Sequence, residues 1–197
     1  TSMKYWNNTI LENINMYIFD GKISVLEWVN WAWKSTLINS LIWKRGISSW
    51  KIIYGEWFYW VFSYMSQDNY LFEHLTCYQN LEIIFSSPEN TSSMNLCNDF
   101  LSKFNIIQLK DKYPHEISIG QRQILCFIRC LLVDSEYFIL DEPTSALDEE
   151  NRNMMTDILK KLKSKWKTIF IISHDYEFIN SVADKNYIIK NKTIIKK

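Results

Sequence analysis

The sequence predicts an α/β fold built on a mainly parallel sheet, and three observations carry that expectation. Residues 136–140 (EYFIL) and 168–173 (TIFIIS) are short continuous apolar runs, the pattern of strands covered on both faces. Helix-like segments alternate with such runs along the chain, the order expected of a parallel α/β sheet. The first of the two runs leads directly into Asp141 and Glu142, and carboxylates at the end of a buried strand suggest a site.

In chain order, residues 22–27 (KISVLE) form a short β-rich run, followed by an irregular stretch and a helix over 34–42. Residues 52–54 and 61–65 read as further short strands, 67–87 as mixed structure and 89–93 as a polar loop. A helix is expected over 96–104. A second begins after Ser118, a plausible N-cap, with Ile124, Ile128 and Leu131 on one apolar face. Asp148 caps a helix over 149–165, with Glu149 and Glu150 in its first turn and lysines near its end, as the helix dipole favours. Residues 187–190 and 193–196 suggest a terminal hairpin turning at Asn191 and Lys192.

The chain has 197 residues, which suits one domain with an inserted subdomain. Lys plus Arg and Asp plus Glu both number 22, so no basic excess exists to neutralise a phosphate backbone, and nucleic acid is not an expected partner. The longest apolar run, 124–133, is interrupted by Arg129 and falls short of the roughly 18 residues a membrane span needs. Cys77, Cys97, Cys126 and Cys130 form no C-x-x-C pair, which suits reduced core thiols and a cytosolic compartment.

The segment 113–148 (YPHEISIGQRQILCFIRCLLVDSEYFILDEPTSALD) resembles the core of ATP-binding cassette (ABC) ATPases. Within it Ser118, Ile119, Gly120 and Gln121, after Ile117, are similar to the ABC signature. Residues 137–142 are similar to Walker B plus the catalytic glutamate, and Ser145, Ala146, Leu147 and Asp148 to the D-loop. Residues 172–175 (ISHD) resemble the switch-histidine loop and 64–68 (YMSQD) the Q-loop. Each motif alone has a blander reading, as a cap or a surface residue; five in the family's order do not.

The resemblance implies a RecA-like P-loop NTPase core over residues 1–66 and 135–197. An ABC-type helical subdomain would lie between them over about 67–134, and one more N-terminal strand upstream of the chain. It implies ATP and Mg2+ as cofactors, with Glu142, His174 and Gln67 catalytic. Ser35, Gln67 and Asp141 would hold the metal, and Tyr5 would stack on adenine. A carboxylate at a strand end holds a magnesium hydration shell, and its neighbour orients or deprotonates the attacking water. Ser118 and Gly120, at a helix N-terminus, suit anion binding; in the family they serve the ATP of a second subunit, so a homo- or heterodimer is implied. Transmembrane permease subunits would complete the assembly and hold this chain on the cytoplasmic face of the membrane.

Walker A should be G-x-x-x-x-G-K-S/T, yet the chain has Trp28, Val29, Asn30, Trp31, Ala32, Trp33, Lys34, Ser35 and Thr36. Lys34 and Ser35 stand correctly for the phosphate-binding lysine and the magnesium hydroxyl. Tryptophan replaces all three glycines, although a phosphate cradle needs converging backbone N–H groups and no Cβ. Trp166 follows a Lys-rich helix end, the C′ position that favours glycine, and Trp43 follows the expected end of an earlier helix. Trp6 and Trp50 also stand where the family has glycine; Trp57 and Trp60 have no such assignment. The chain holds 4 Gly and 9 Trp, together 13, against roughly 14 glycines expected from average usage.

Three readings compete: ordinary core or interface tryptophans, decay into an ATPase-deficient regulatory cassette, and UGA codons that mean glycine in the source but were translated as tryptophan. Drift would also give Ala, Ser, Arg, Glu or Val, and only Trp appears. The function expected is therefore ATP hydrolysis coupled to transport, with a non-catalytic binding subunit as the alternative if Trp28, Trp31 and Trp33 are genuine. A soluble ABC ATPase acting in translation or DNA repair would call for a tandem cassette or a coiled-coil insertion, and neither is visible.

Overall fold

The computed structural model of the chain describes residues 3–5, 8–11, 16–27, 37–38, 62–85, 91–133, 135–190 and 193–197. Strands β1 (Met3–Tyr5) and β2 (Asn8–Leu11) pair antiparallel in a small separate sheet. The principal sheet is built from β3 (Ile23–Glu27), β4 (Phe62–Met65), β5 (Tyr137–Asp141), β6 (Thr168–Ser173), β7 (Lys185–Lys190) and β8 (Thr193–Lys196). Their order across it is β4-β5-β6-β3-β7-β8, and every neighbouring pair is parallel except β7 and β8.

Period-two alternation sends successive side chains to opposite faces, and here both faces are covered. Ile169 and Ile171 of β6 join one apolar cluster with Ile23, Val25, Phe138 and Leu140. Phe170 and Ile172 join the other, with Leu26 and Tyr187 and with Leu37 and Ile38, which are helical. All six residues of β6 are consequently buried, which is why this stretch reads as an unbroken apolar run.

Helices α1 (Cys77–Glu82), α2 (Thr91–Lys103) and α3 (Ile119–Leu132) lie between β4 and β5 in sequence and pack on one another. Helix α2 begins at Thr91, so residues 91–93, expected as loop, are its first turn. Cys97 and Leu101, four apart and both buried, supply the packing that overrides the polar composition. Helix α4 (Glu149–Ser164) is capped by the Asp148 side chain, which accepts from the Asn151 N–H at 2.9 Å. A short helix α5 (Tyr176–Val182) follows β6, and β7 and β8 form the expected hairpin, whose turn at Asn191 and Lys192 lies outside the described residues. The four cysteines are free and buried, as expected of core thiols.

The C-terminal end of α4 is closed by two reciprocal backbone bonds. The Trp166 N–H donates to the Lys163 carbonyl at 2.9 Å, and the Lys167 N–H to the Leu162 carbonyl at 3.2 Å. Together they make a Schellman motif with Trp166 at C′, and its φ is +61°. This tryptophan therefore occupies the left-handed turn that glycine ordinarily fills. The remaining eight tryptophans, and the expected strand 52–54, lie outside the described residues.

Candidate active site

Parallel register brings four strand ends to one edge of the sheet. Glu27 pairs with Ser173, Asp141 with Ile172, and Met65 with Leu140. Gln67, two residues after β4, Glu142, directly after β5, and His174, directly after β6, therefore leave the sheet on the same side. This is the carboxyl-end crevice where open parallel sheets bind ligands. Gln67 lies in a turn and is half-buried. Trp28, Val29, Asn30, Trp31, Ala32, Trp33, Lys34, Ser35 and Thr36 lie outside the described residues, as does the Tyr5 side chain, although Tyr5 itself closes β1.

Asp141 and Glu142 are both buried. The Glu142 Oε1 lies 2.8 Å from His174 Nδ1. An ionised carboxylate only accepts, so Nδ1 carries the proton in that contact, and Nε2 is left for another partner. His174 is mostly exposed while Glu142 is not, so the histidine links the buried carboxylate to the open edge. The negative charge at Asp141 extends to its neighbour on β4: burial, and next the Asp141 carboxylate, push the Tyr64 phenol above its usual value. Asp175 steadies the loop by capping α5, accepting from the Phe178 N–H at 3.1 Å and pairing with Arg152 Nε at 3.4 Å.

The backbone at Glu142 has φ of +50°. Three bonds hold it there. Its N–H donates to the Ile172 carbonyl at 2.8 Å, and its carbonyl accepts from Gln123 Nε2 at 2.8 Å and from the Ser145 N–H at 3.3 Å. Such a geometry in a non-glycine residue persists only where its surroundings over-determine it.

Ser118 caps α3 as expected, its Oγ accepting from the Gln121 N–H at 3.2 Å while Gln121 Oε1 accepts from the Ser118 N–H at 2.9 Å. The hydroxyl proton of Ser118 remains a donor, and Ile119 beside it is 70% exposed. The signature packs against the D-loop of its own chain: a Cβ on Gly120 would come within 2.6 Å of the Ala146 carbonyl oxygen. Glycine is required there by close approach. In the D-loop Ser145, Ala146 and Asp148 are exposed and Leu147 is buried.

Sequence reasoning passed over Gln123. Its side chain is fully buried and touches both Glu142 and the D-loop. The signal was present, because Gln123 precedes Phe127 by four residues and Cys130 by seven, on the buried face of α3. A polar side chain on that face must find hydrogen-bond partners.

Among solved structures, the chain superposes on a dimeric ATP-binding cassette in a post-hydrolysis state bound to ADP and Pi, with TM-score 0.81 and 18% identity over 100% of this chain and 94% of that one. At that identity the likeness speaks for the fold, a P-loop NTPase core of cassette type. In sequence it is 29% identical over 208 residues to the macrolide export ATP-binding/permease protein MacB of Pasteurella multocida, covering 95% of this chain and 31% of that protein. It is 27% identical over 202 residues to the glutamine transport ATP-binding protein GlnQ of Geobacillus stearothermophilus, covering 92% and 81%. The chain spans about a third of the length of the first two curated relatives it matches. The family model described as ABC transporter matches residues 11–145, more than half of the chain. On that match and the motifs set around the sheet edge, the chain belongs to the ABC transporter family of ATP-binding cassettes.

Proposed function

We propose that this chain is the ATP-binding and ATP-hydrolysing subunit of an ABC transporter, acting as a dimer on transmembrane permease subunits. The observation that carries the reading is the 2.8 Å contact of Glu142 with His174 beside buried Asp141 at the C-terminal sheet edge. It gives Glu142 the role of general base toward the attacking water, with His174 and Gln67 sensing water and γ-phosphate. Lys34 and the loop 28–36 hold the phosphates, and Tyr5 stacks on adenine. The donor set fits Mg2+: Asp141, Gln67 and Ser35 offer hard oxygens, too few to close an all-protein cage and therefore suited to a metal shared with phosphates. When bound with ATP, Mg2+ supplies charge neutralisation at the phosphate oxygens. Ser118, Ile119, Gly120 and Gln121 serve the nucleotide of the second subunit.

The division into a core at 1–66 and 135–197 and a helical subdomain at 67–134 is supported by α1, α2 and α3 lying between the parallel strands β4 and β5. An open groove lined by Tyr70, Leu71, Phe72, Ile83, Ile84 and Arg129 lies just after the Q-loop. Tyr70 and Phe72 are 68% and 49% exposed there, an apolar surface that fits a helix of a permease subunit. No helix among the described residues is long and apolar enough to cross a membrane. A peripheral place on the cytoplasmic face, through the permease, follows from this assembly.

Hydrolysis requires the phosphate cradle, and tryptophan at 28, 31 and 33 favours a second reading, a non-catalytic regulatory cassette that docks without turning over ATP. The test compares the chain with its tryptophans, the chain carrying Trp28→Gly, Trp31→Gly and Trp33→Gly, and that glycine chain with Glu142→Gln. The glycine chain is expected to hydrolyse MgATP, and Glu142→Gln to slow it by about 10²–10⁴-fold while nucleotide affinity is retained. A glycine chain without turnover, or Glu142→Gln with full turnover, overturns the reading.

A further inference from the structure

On α3 the Gln123 side chain reaches both the residue after β5 and the D-loop. Its Nε2 donates to the Glu142 carbonyl at 2.8 Å and to Ser145 Oγ at 3.1 Å, and its Oε1 accepts from the Ala146 N–H at 2.9 Å. Both ends of the amide are thus engaged, with no exposure to solvent. Of the three bonds, the one to Glu142 is buried and the two to the D-loop are part-buried, so losing the D-loop partners would leave polar atoms of a buried amide without a match. One of them lands on the carbonyl of Glu142, the residue whose left-handed backbone needs external support. Another lands on Ala146, whose carbonyl oxygen lies against Gly120 of the signature.

We propose that Gln123 is a positioning residue for hydrolysis: it sets the Glu142 carboxylate and the D-loop in fixed relation to the signature at the start of its own helix. The consequence rests on the proposed function. In a dimer whose signature serves the partner's nucleotide, a single buried amide ties each chain's general base to the motif it presents across the interface. Gln123 touches no reacting atom, so its loss changes turnover rather than nucleotide affinity.

The experiment uses the full chain carrying Trp28→Gly, Trp31→Gly and Trp33→Gly. Into it go Gln123→Met, which keeps volume and removes every bond, and Gln123→Glu, which keeps the acceptor for Ala146 and loses both donors. Steady-state ATP hydrolysis and amide exchange of the 143–148 segment are read for each, with the melting temperature as a check on folding. The expected result is a kcat lower by about 10- to 100-fold in both variants with KM for MgATP within about two-fold, since a small displacement of a reacting group costs that much. The Ala146 amide should lose protection in Gln123→Met and keep more of it in Gln123→Glu. Unchanged kcat and unchanged exchange in either soluble variant overturn the proposal, as does a KM rise with kcat retained. A glycine chain that hydrolyses no ATP before Gln123 is touched contradicts the proposed function instead, and the exchange measurement then still decides whether Gln123 holds the D-loop.

Discussion

Glu142 and Trp166 both have positive φ, and so do Asn69 and Asn105. Asparagine tolerates the left-handed region; glutamate and tryptophan adopt it at a cost. At Glu142 the cost, about 1–3 kcal/mol, is offset by bonds from Gln123, Ser145 and Ile172 and serves to aim a carboxylate at His174. At Trp166 no such return is visible. The indole is 79% exposed, and the turn is held by backbone bonds that any residue could make. Its ring even crowds Gly21, where a Cβ would sit 2.7 Å from Trp166 Cε3. Trp166→Gly is therefore expected to raise the unfolding free energy by about 1 kcal/mol, measured by urea denaturation. A loss of stability would mean that the indole contributes more than the strained turn removes. The left-handed turn at 166 was legible in the sequence from the lysine-rich helix end before it; the one at Glu142 was not, because it arises from contacts distant in sequence.

Among the elements, α3 gathers the signature, Gln123 and two of the four cysteines. Its start was legible because Ser118 and Gln121 are three apart, the spacing of a capping box. Ser118→Ala should cost about 1 kcal/mol by removing the cap, read as a lower midpoint in thermal unfolding; no change would show that the helix start is held by other contacts. Further along, burial pushes the Cys126 thiol up to about 11 and the Cys130 thiol up to about 12. Both stay protonated and inert in the native state at pH 8, so a thiol reagent should label them only after unfolding. Their folded values exceed the unfolded one, so the unfolded chain releases these protons first. The stability these two thiols contribute is full below about pH 9 and is lost as the pH rises toward 12. Rapid native-state labelling, or stability flat across that window, would contradict the burial. Helix α5 escaped the sequence reading because seven residues carry too little periodicity, and the first turn of α2 escaped because Thr91, Ser92 and Ser93 are locally loop-like.

On the scale of the molecule, the doubly covered parallel sheet explains both what could be read and where the site lies. Strands buried on two faces announce themselves as apolar runs, and parallel register then gathers the residues following them at one edge. Gln67, Asp141, Glu142 and His174, spread over more than a hundred residues, are grouped in the sequence by their resemblance to the family's motifs, and the parallel register sets them at one edge. Gln123 was legible only as a polar position on the buried face of α3; its partners, Glu142, Ser145 and Ala146, are tertiary contacts that the sequence does not reveal. From the groove at Tyr70 and Phe72, the molecule also offers a route to α3: Arg122 pairs with Glu73 at 2.7 Å, and Arg129 donates to the Tyr70 carbonyl. A permease helix seated there would press on the same helix that positions Glu142. Arg122→Ala is accordingly expected to leave basal ATP hydrolysis of the isolated chain within about two-fold, because an exposed ion pair contributes little to stability. Stimulation by the permease should fall, and equal stimulation in both forms would remove this contact from the coupling.

ATP hydrolysis by this chain depends on a phosphate loop free of indole rings. The measurement that tests it most directly is mass spectrometry of the protein isolated from its native source, covering the tryptic peptide 23–34. The expected masses are those for glycine at 28, 31 and 33, and with them comes a magnesium-dependent ATPase. Masses for tryptophan would contradict it, close the cradle above Lys34, and leave a cassette that docks and dimerises without hydrolysing ATP.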